Sequence, residues 1–134
     1  MAVLLALASA GGCGTAASRA TRDRHAVMSH VLDESKDGST IDLHTGESVV
    51  IILPENATTG YRWEVGRLDR DVVGFVAEES RYPTGPMVGS GGHVEFLFQA
   101  LKPGRSDILL RQLRPWEGDA SVIGRYRLHV NVLP

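Results

Sequence analysis

Between Ile123 and Leu133 the chain alternates residue by residue, with Tyr126, Leu128, Val130 and Val132 in one phase and Arg125, Arg127, His129 and Asn131 in the other. Successive Cβ atoms of a strand point to opposite faces, so this repeat of two fits a strand with one face in a core and one in water, and no helix. His93 to Ala100 repeats the pattern, with Val94, Phe96, Phe98 and Ala100 against Glu95, Leu97 and Gln99, and Thr40 to His44 sets Ile41 and Leu43 on one face. The run Val49 to Leu53 is apolar throughout and rich in β-branched residues, which predicts a strand buried on both faces or nearly so, ending at Pro54. Further strands are expected over Tyr61–Val65, with Tyr61, Trp63 and Val65 sharing a face, over Val72–Glu78 and over Ser106–Leu113. His25 to Ser35 suits a short helix or a ragged first strand equally well. Lys36-Asp37-Gly38-Ser39, Thr45-Gly46-Glu47 and Lys102-Pro103-Gly104 are turn signals between these runs. No segment carries a long amphipathic helical repeat. Short strands separated by turns at roughly 8–12 residue intervals predict an all-β sandwich or barrel.

A chain of 134 residues can bury one real core and is too short for two ordinary domains. With 14 basic and 16 acidic residues and a formal net charge of −2, it lacks the basic surplus that phosphate backbones require, and no nucleic-acid partner is expected. Cys13 is the single cysteine, so no internal disulfide supports the fold and stability must come from burial. Residues 1–12 are small and apolar, and they read as an export signal rather than a spanning helix, which needs about 20 residues. The small residues before Cys13 resemble a bacterial lipoprotein cleavage site, which would leave that cysteine acylated and the protein anchored to a membrane by lipid. Ordinary secretion after cleavage near Ala8-Ser9-Ala10 is the alternative. Residues 13–24 are polar and basic and read as a tether, and residues 25–134 as the folded domain.

Catalytic and metal chemistry find little support. Val88 stands where a nucleophile elbow around Ser90 would need a glycine, and no Lys-Ser/Thr pair follows the glycine cluster as in a phosphate loop. His25, His30, His44, His93 and His129 have no spacing that would gather them on one metal ion. Glu78 and Glu79 are strand neighbours and point apart, so they cannot share a proton. The chain is read as no enzyme, with no cofactor and no metal.

Three loop-like stretches remain, each beside a strand: Asn56-Ala57-Thr58-Thr59-Gly60-Tyr61, then Gly89-Ser90-Gly91-Gly92, then Arg114-Pro115-Trp116. In the first, Asn56 can close a turn with its side chain, the threonines are stiff at χ1, and Gly60 allows a positive φ. Taken alone, Thr58-Thr59-Gly60 is a well-capped turn and Asn56-Ala57-Thr58 a chance glycosylation spelling. In spelling and order together, the three stretches resemble the loop signatures of the chagasin-type inhibitors of papain-like cysteine peptidases: Asn-Pro-Thr-Thr-Gly-Tyr/Phe, Gly-x-Gly-Gly and Arg-Pro-Trp/Phe. Ala57 stands where that pattern has proline.

The resemblance implies an immunoglobulin-like β-sandwich of about seven to eight strands. It also implies a reversible, competitive inhibitor, acting as a monomer, that presents three loops to a peptidase cleft. Thr58 and Thr59, with Asn56 and Gly60, would lie at the catalytic thiol–imidazole pair, the backbone at Gly60 approaching closely for want of a Cβ. Met87, Val88, Gly89, Gly91 and Gly92 would grip the non-primed side, an apolar side chain of Met87 or Val88 facing the S2 pocket. Trp116, supported by Arg114 and with Pro115 fixing the turn, would pack on the primed side. Tyr61 and Trp63 are read as structural, Trp116 as exposed, and Arg111 and Arg125 as a solvated face. The alternative is a non-inhibitory immunoglobulin-like binding module of the cell envelope that uses Trp63 and Trp116 for carbohydrate or protein.

Overall fold

The computed structural model of the protein describes residues 29–82 and 91–134. Cys13, the expected signal and tether, and Met87, Val88 and Gly89 of the second loop lie outside the described residues. The described residues form eight strands: β1 (Ser29–Leu32), β2 (Thr40–His44), β3 (Ser48–Glu55), β4 (Arg62–Arg67), β5 (Val73–Arg81), β6 (Gly92–Ala100), β7 (Gly104–Leu113) and β8 (Gly124–Leu133). They divide into two four-stranded sheets, ordered β1-β3-β6-β5 and β2-β8-β7-β4. The pairs β1–β3 and β2–β8 are parallel and the rest antiparallel. This is a β-sandwich, as the alternating sequence requires.

The in-phase residues of both sheets meet in one core. Val49, Ile51 and Leu53 of β3 and Val94, Phe96 and Phe98 of β6 face Ile108 and Leu110 of β7 and Tyr126 and Leu128 of β8 across the interior. All are essentially inaccessible to solvent. At about 25 cal/mol per Å² of apolar surface withdrawn from water, this burial is the main stabilising term in a fold without a disulfide among its described residues.

Several details differ from the sequence reading; β4 begins at Arg62 and runs to Arg67, leaving Tyr61 outside it, and β7 begins at Gly104. Residues 29–32 form a strand, followed by a single 3-10 turn at Glu34–Lys36, so the ambiguous first segment holds no longer helix among its described residues. β3 is buried on one face only: Val49, Ile51 and Leu53 are enclosed, while Val50 and Ile52 are half-buried, since no layer of the described residues covers the outside of that sheet. It also continues through Pro54 to Glu55. Proline is tolerated there because the β1 ladder stops at Ile51, which leaves the far end of β3 an edge on the side where proline offers no N–H. β5 runs on to Arg81, three residues beyond the expected Glu78, with a bulge between Phe75 and Ala77.

Register fixes where the connections emerge. Glu55 at the end of β3 pairs with Gly92 at the start of β6, and Arg62 at the start of β4 pairs with Leu113 at the end of β7. The β3–β4, β5–β6 and β7–β8 connections therefore leave the sandwich at the same end.

Candidate functional site

The β3–β4 connection crosses from one sheet to the other and has no ladder to shape it. Its own side chains do so instead. Asn56 caps a 3-10 turn at Ala57–Thr59: its Oδ1 accepts from the Thr58 N–H at 3.0 Å and from the Thr58 hydroxyl at 2.7 Å. The Asn56 carbonyl accepts from the Thr59 N–H at 3.2 Å and from the Thr59 hydroxyl at 2.9 Å. Gly60 ends the turn in the left-handed region, at φ 79° and ψ −6°. The Thr59 hydroxyl then accepts from the Tyr61 N–H at 3.3 Å. Both threonine hydroxyls are engaged inside the loop while Ala57, Thr58 and Thr59 remain exposed at its tip.

The β7–β8 connection leans on this loop. Pro115 opens a 3-10 segment, Pro115–Ser121, kinked at Gly118. The Ser121 hydroxyl closes it, accepting from the Arg114 N–H at 3.0 Å and lying within hydrogen-bond distance of the Arg114 and Gly118 carbonyls. Arg114 reaches across: its Nε–H donates to the Thr59 carbonyl at 3.2 Å, and its guanidinium sits 4.5 Å from the centroid of the Tyr61 ring, a cation–π contact. The Trp116 indole lies over Gly60. A Cβ at Gly60 would stand 2.4 Å from the indole Cη2, so the missing side chain makes room for this chain's own tryptophan, a close approach the sequence reading had reserved for a partner. Trp116 is nonetheless 70% exposed, as its setting between Pro115 and Glu117-Gly118 suggested. The side chains of the first and third motifs thus form one unit.

Of the second motif, Gly91 and Gly92 are described. Gly91 has φ 93°, and none of the described residues comes within 4 Å of where its Cβ would stand. Gly92 is required for a different reason: a Cβ there would lie 2.2 Å from the Arg81 carbonyl oxygen, so the chain entering the loop at Arg81-Tyr82 closes directly over the chain leaving it. Pro54, Glu55, Asn56, Gly91, Gly92 and Gln112 line a shallow groove of about 470 Å³ between the first and second motifs.

Two residues of this end, Glu55 and Arg111, were missed or misread in the sequence. Glu55 is 3% exposed, and its carboxylate collects the Trp63 N–H, the Ser80 hydroxyl and the Tyr82 hydroxyl. Burial, then that hydrogen bond, pushes the Tyr82 phenol above its ordinary pKa. The signal was present, since Glu55 continues the inward phase of Val49, Ile51 and Leu53. Trp63 is structural, as read: it is buried, and its indole N–H donates to the Pro54 carbonyl at 2.9 Å. Arg111 does not belong to a solvated face. It is half-buried and bridges Glu64 at 2.8 Å and Asp119 at 3.0 Å, tying β4 to the third loop, whereas Arg125 is exposed.

Comparison with known proteins follows this geometry. The family model of the chagasin family of peptidase inhibitors matches residues 42–130. Chagasin of Trypanosoma cruzi is 30% identical over 107 residues, which is 77% of this chain and 97% of chagasin. Amoebiasin-1 of Entamoeba histolytica is 33% identical over 103 residues, 75% of this chain and 97% of its own. The crystal structure of a cysteine protease inhibitor from Entamoeba histolytica superposes with a TM-score of 0.71 at 26% identity, covering 80% of this chain and 97% of that one.

Proposed function

Since this chain belongs to the chagasin family of peptidase inhibitors, we propose that it inhibits papain-like cysteine peptidases reversibly and competitively, by seating the loops at one end of its sandwich in the active-site cleft. The observation that carries this reading is the pairing of the first and third loops into one exposed edge. Thr58 and Thr59 stand at its tip with their hydroxyls already satisfied, and Trp116 flanks them, packed on Gly60 and still mostly accessible. Side chains whose polar groups are bonded internally lose little to desolvation when a cleft closes on them.

In this reading Thr58 and Thr59, held by Asn56 and Gly60, cover the thiol–imidazole pair and keep substrate out. The loop blocks the cleft without placing a carbonyl for attack, so it is not cleaved and inhibition is reversible. Trp116, braced by Arg114, packs on the primed side. Gly91 and Gly92, with Met87, Val88 and Gly89, serve the non-primed side, an apolar side chain of Met87 or Val88 meeting the S2 pocket. An interface of ordinary size, about 1,600 Å² in total, accommodates such a wedge. The protein acts as a monomer. It is exported and anchored to a membrane through an acylated Cys13, a reading supported by the small and apolar residues 1–12 that precede it.

Steady-state inhibition of papain and of a cathepsin L-type enzyme tests the function. Competitive inhibition by the folded protein, abolished by Thr58→Asp, is expected. Absence of inhibition at micromolar concentrations of folded protein would leave the immunoglobulin-like binding module as the better account. For the anchor, Cys13→Ser is expected to release the protein from the membrane fraction, and unchanged retention would overturn that part.

A further inference from the structure

Among the described polar groups at the loop end, Glu55 is the buried carboxylate, and no contact with a peptidase accounts for it. It is an acidic residue only 3% exposed, in a position where a fourth apolar side chain would continue the inward row of β3. Burying a carboxylate is costly unless its oxygens are well supplied with donors. Here they are, and the donors come from three places. Oε1 accepts from the Trp63 N–H at 3.2 Å, and Oε2 accepts from the Ser80 hydroxyl at 3.0 Å and the Tyr82 hydroxyl at 2.5 Å.

The positions of these donors matter more than their number. Glu55 and Trp63 flank the Asn56–Tyr61 loop, so one carboxylate oxygen closes the base of a loop whose ends lie in different sheets. Ser80 and Tyr82 lie on the chain entering the β5–β6 connection, and Tyr82 packs directly on Gly92, where that connection ends. The second oxygen is therefore bonded to the flank of the second loop. Arg114 and Trp116 join the third loop to the first by an independent set of contacts.

We propose that Glu55 is a positioning residue for inhibition, a buried carboxylate that holds the first loop and the flank of the second in one fixed relation before any peptidase arrives. This rests on the inhibitory reading of the loops and adds the group that makes two of them act together. A loop end populating several relative positions binds more weakly in proportion to the fraction of molecules in the competent one.

Tyr82→Phe is the discriminating variant, because it removes a single hydroxyl from a residue that is 39% exposed and leaves the core untouched. Two measurements on the full chain are compared in the parent, Tyr82→Phe, Glu55→Ala and double-variant backgrounds: the inhibition constant for papain, and solvent exchange of the Thr58, Thr59, Gly60 and Trp63 amides in the free protein by NMR. Tyr82→Phe is expected to weaken inhibition about five- to tenfold in the parent and less than about twofold in Glu55→Ala, since the acceptor is already gone there. It should also speed exchange of the first-loop amides, although the altered residue belongs to the other loop. Glu55→Gln, which can still accept from Trp63 and can donate to the two hydroxyls, should recover most of the parent's behaviour.

Unchanged first-loop exchange in Tyr82→Phe would overturn the proposal, as would an equal loss of inhibition in both backgrounds. Exchange does not depend on any peptidase. If the parent fails to inhibit while Tyr82→Phe still loosens the first loop, the coupling stands and the inhibitory reading falls. If Glu55→Ala does not fold, the exchange result for Tyr82→Phe decides alone.

Discussion

Ala57→Pro places a residue of fixed φ at the tip of the inhibitory loop, and the local geometry suits it. Ala57 is the first residue of a 3-10 turn, where φ is about −50 to −70° and proline's own value is about −65°. The preceding Asn56 sits at φ −117° and ψ 109°, in the extended region that a following proline demands. No hydrogen bond among the described residues uses the Ala57 N–H, because Asn56 takes the amides of Thr58 and Thr59. Nothing is lost in the native state, while the unfolded chain loses freedom worth about 0.4–1 kcal/mol, or about 2–5 °C in Tm. The gain in inhibition should be smaller. Six hydrogen bonds within Asn56–Tyr61 already restrain the loop, so little freedom remains for proline to remove before binding. We expect about twofold tightening against papain, with about fivefold as the ceiling set by the full entropy term. Calorimetric unfolding and steady-state inhibition measure the two effects separately. A lowered Tm, or inhibition weakened by more than about tenfold, would mean that the turn described here is not the one presented to a peptidase.

Trp116→Ala should weaken inhibition by about 2 kcal/mol or more, roughly 30-fold, with little change in Tm because the indole is mostly exposed; an unchanged inhibition constant would remove Trp116 from the interface. Gly92→Ala should lower stability by about 2–3 kcal/mol in denaturant titration, since its Cβ meets the main chain at Arg81 and no side-chain rotation relieves it. A loss below about 0.5 kcal/mol would show that β5 can yield there. Burial first, and then the charges of Asp37 and Asp33, push the Tyr126 phenol up to about 12, and its hydroxyl donates to the Asp33 carbonyl at 3.0 Å. The folded state thus holds this proton more tightly than the unfolded one. Its contribution is complete below about pH 10 and is lost as pH rises through 12, by about 3 kcal/mol in all. Tyr126→Phe should flatten that decline in denaturant titrations across the window, and an unaltered slope would count against it.

Alternation made β2, β6 and β8 legible in the sequence with their faces assigned, because each has one side in the core and one in water. β3 defeated that logic in part. Its outward residues Val50 and Ile52 are apolar although no second layer of the described residues covers them, so composition suggested a two-sided burial that the described sandwich does not provide. The described parts of the three loop motifs do fall at one end of the sandwich, and the capping role of Asn56 followed from its side chain. What makes that end rigid was not legible. Glu55 finds its donors 8, 25 and 27 residues further along the chain, and Arg114 reaches Thr59 over a separation of 55. Pairings at such range depend on register, and register emerges only when the sheets have formed.

The parallel ladder between β2 and β8 joins Thr40–His44, near the beginning of the described domain, to Gly124–Leu133 at its end. A chain emerging from the ribosome has no partner for its second strand until β8 is made. Closure of the sandwich is consequently dominated by distant contacts, of the type that folds in milliseconds to seconds rather than microseconds. Loss of residues 129–133 would strip β2 of its neighbour as well as shorten β8, and the chain remains open to proteases or chaperones until that stretch is in place.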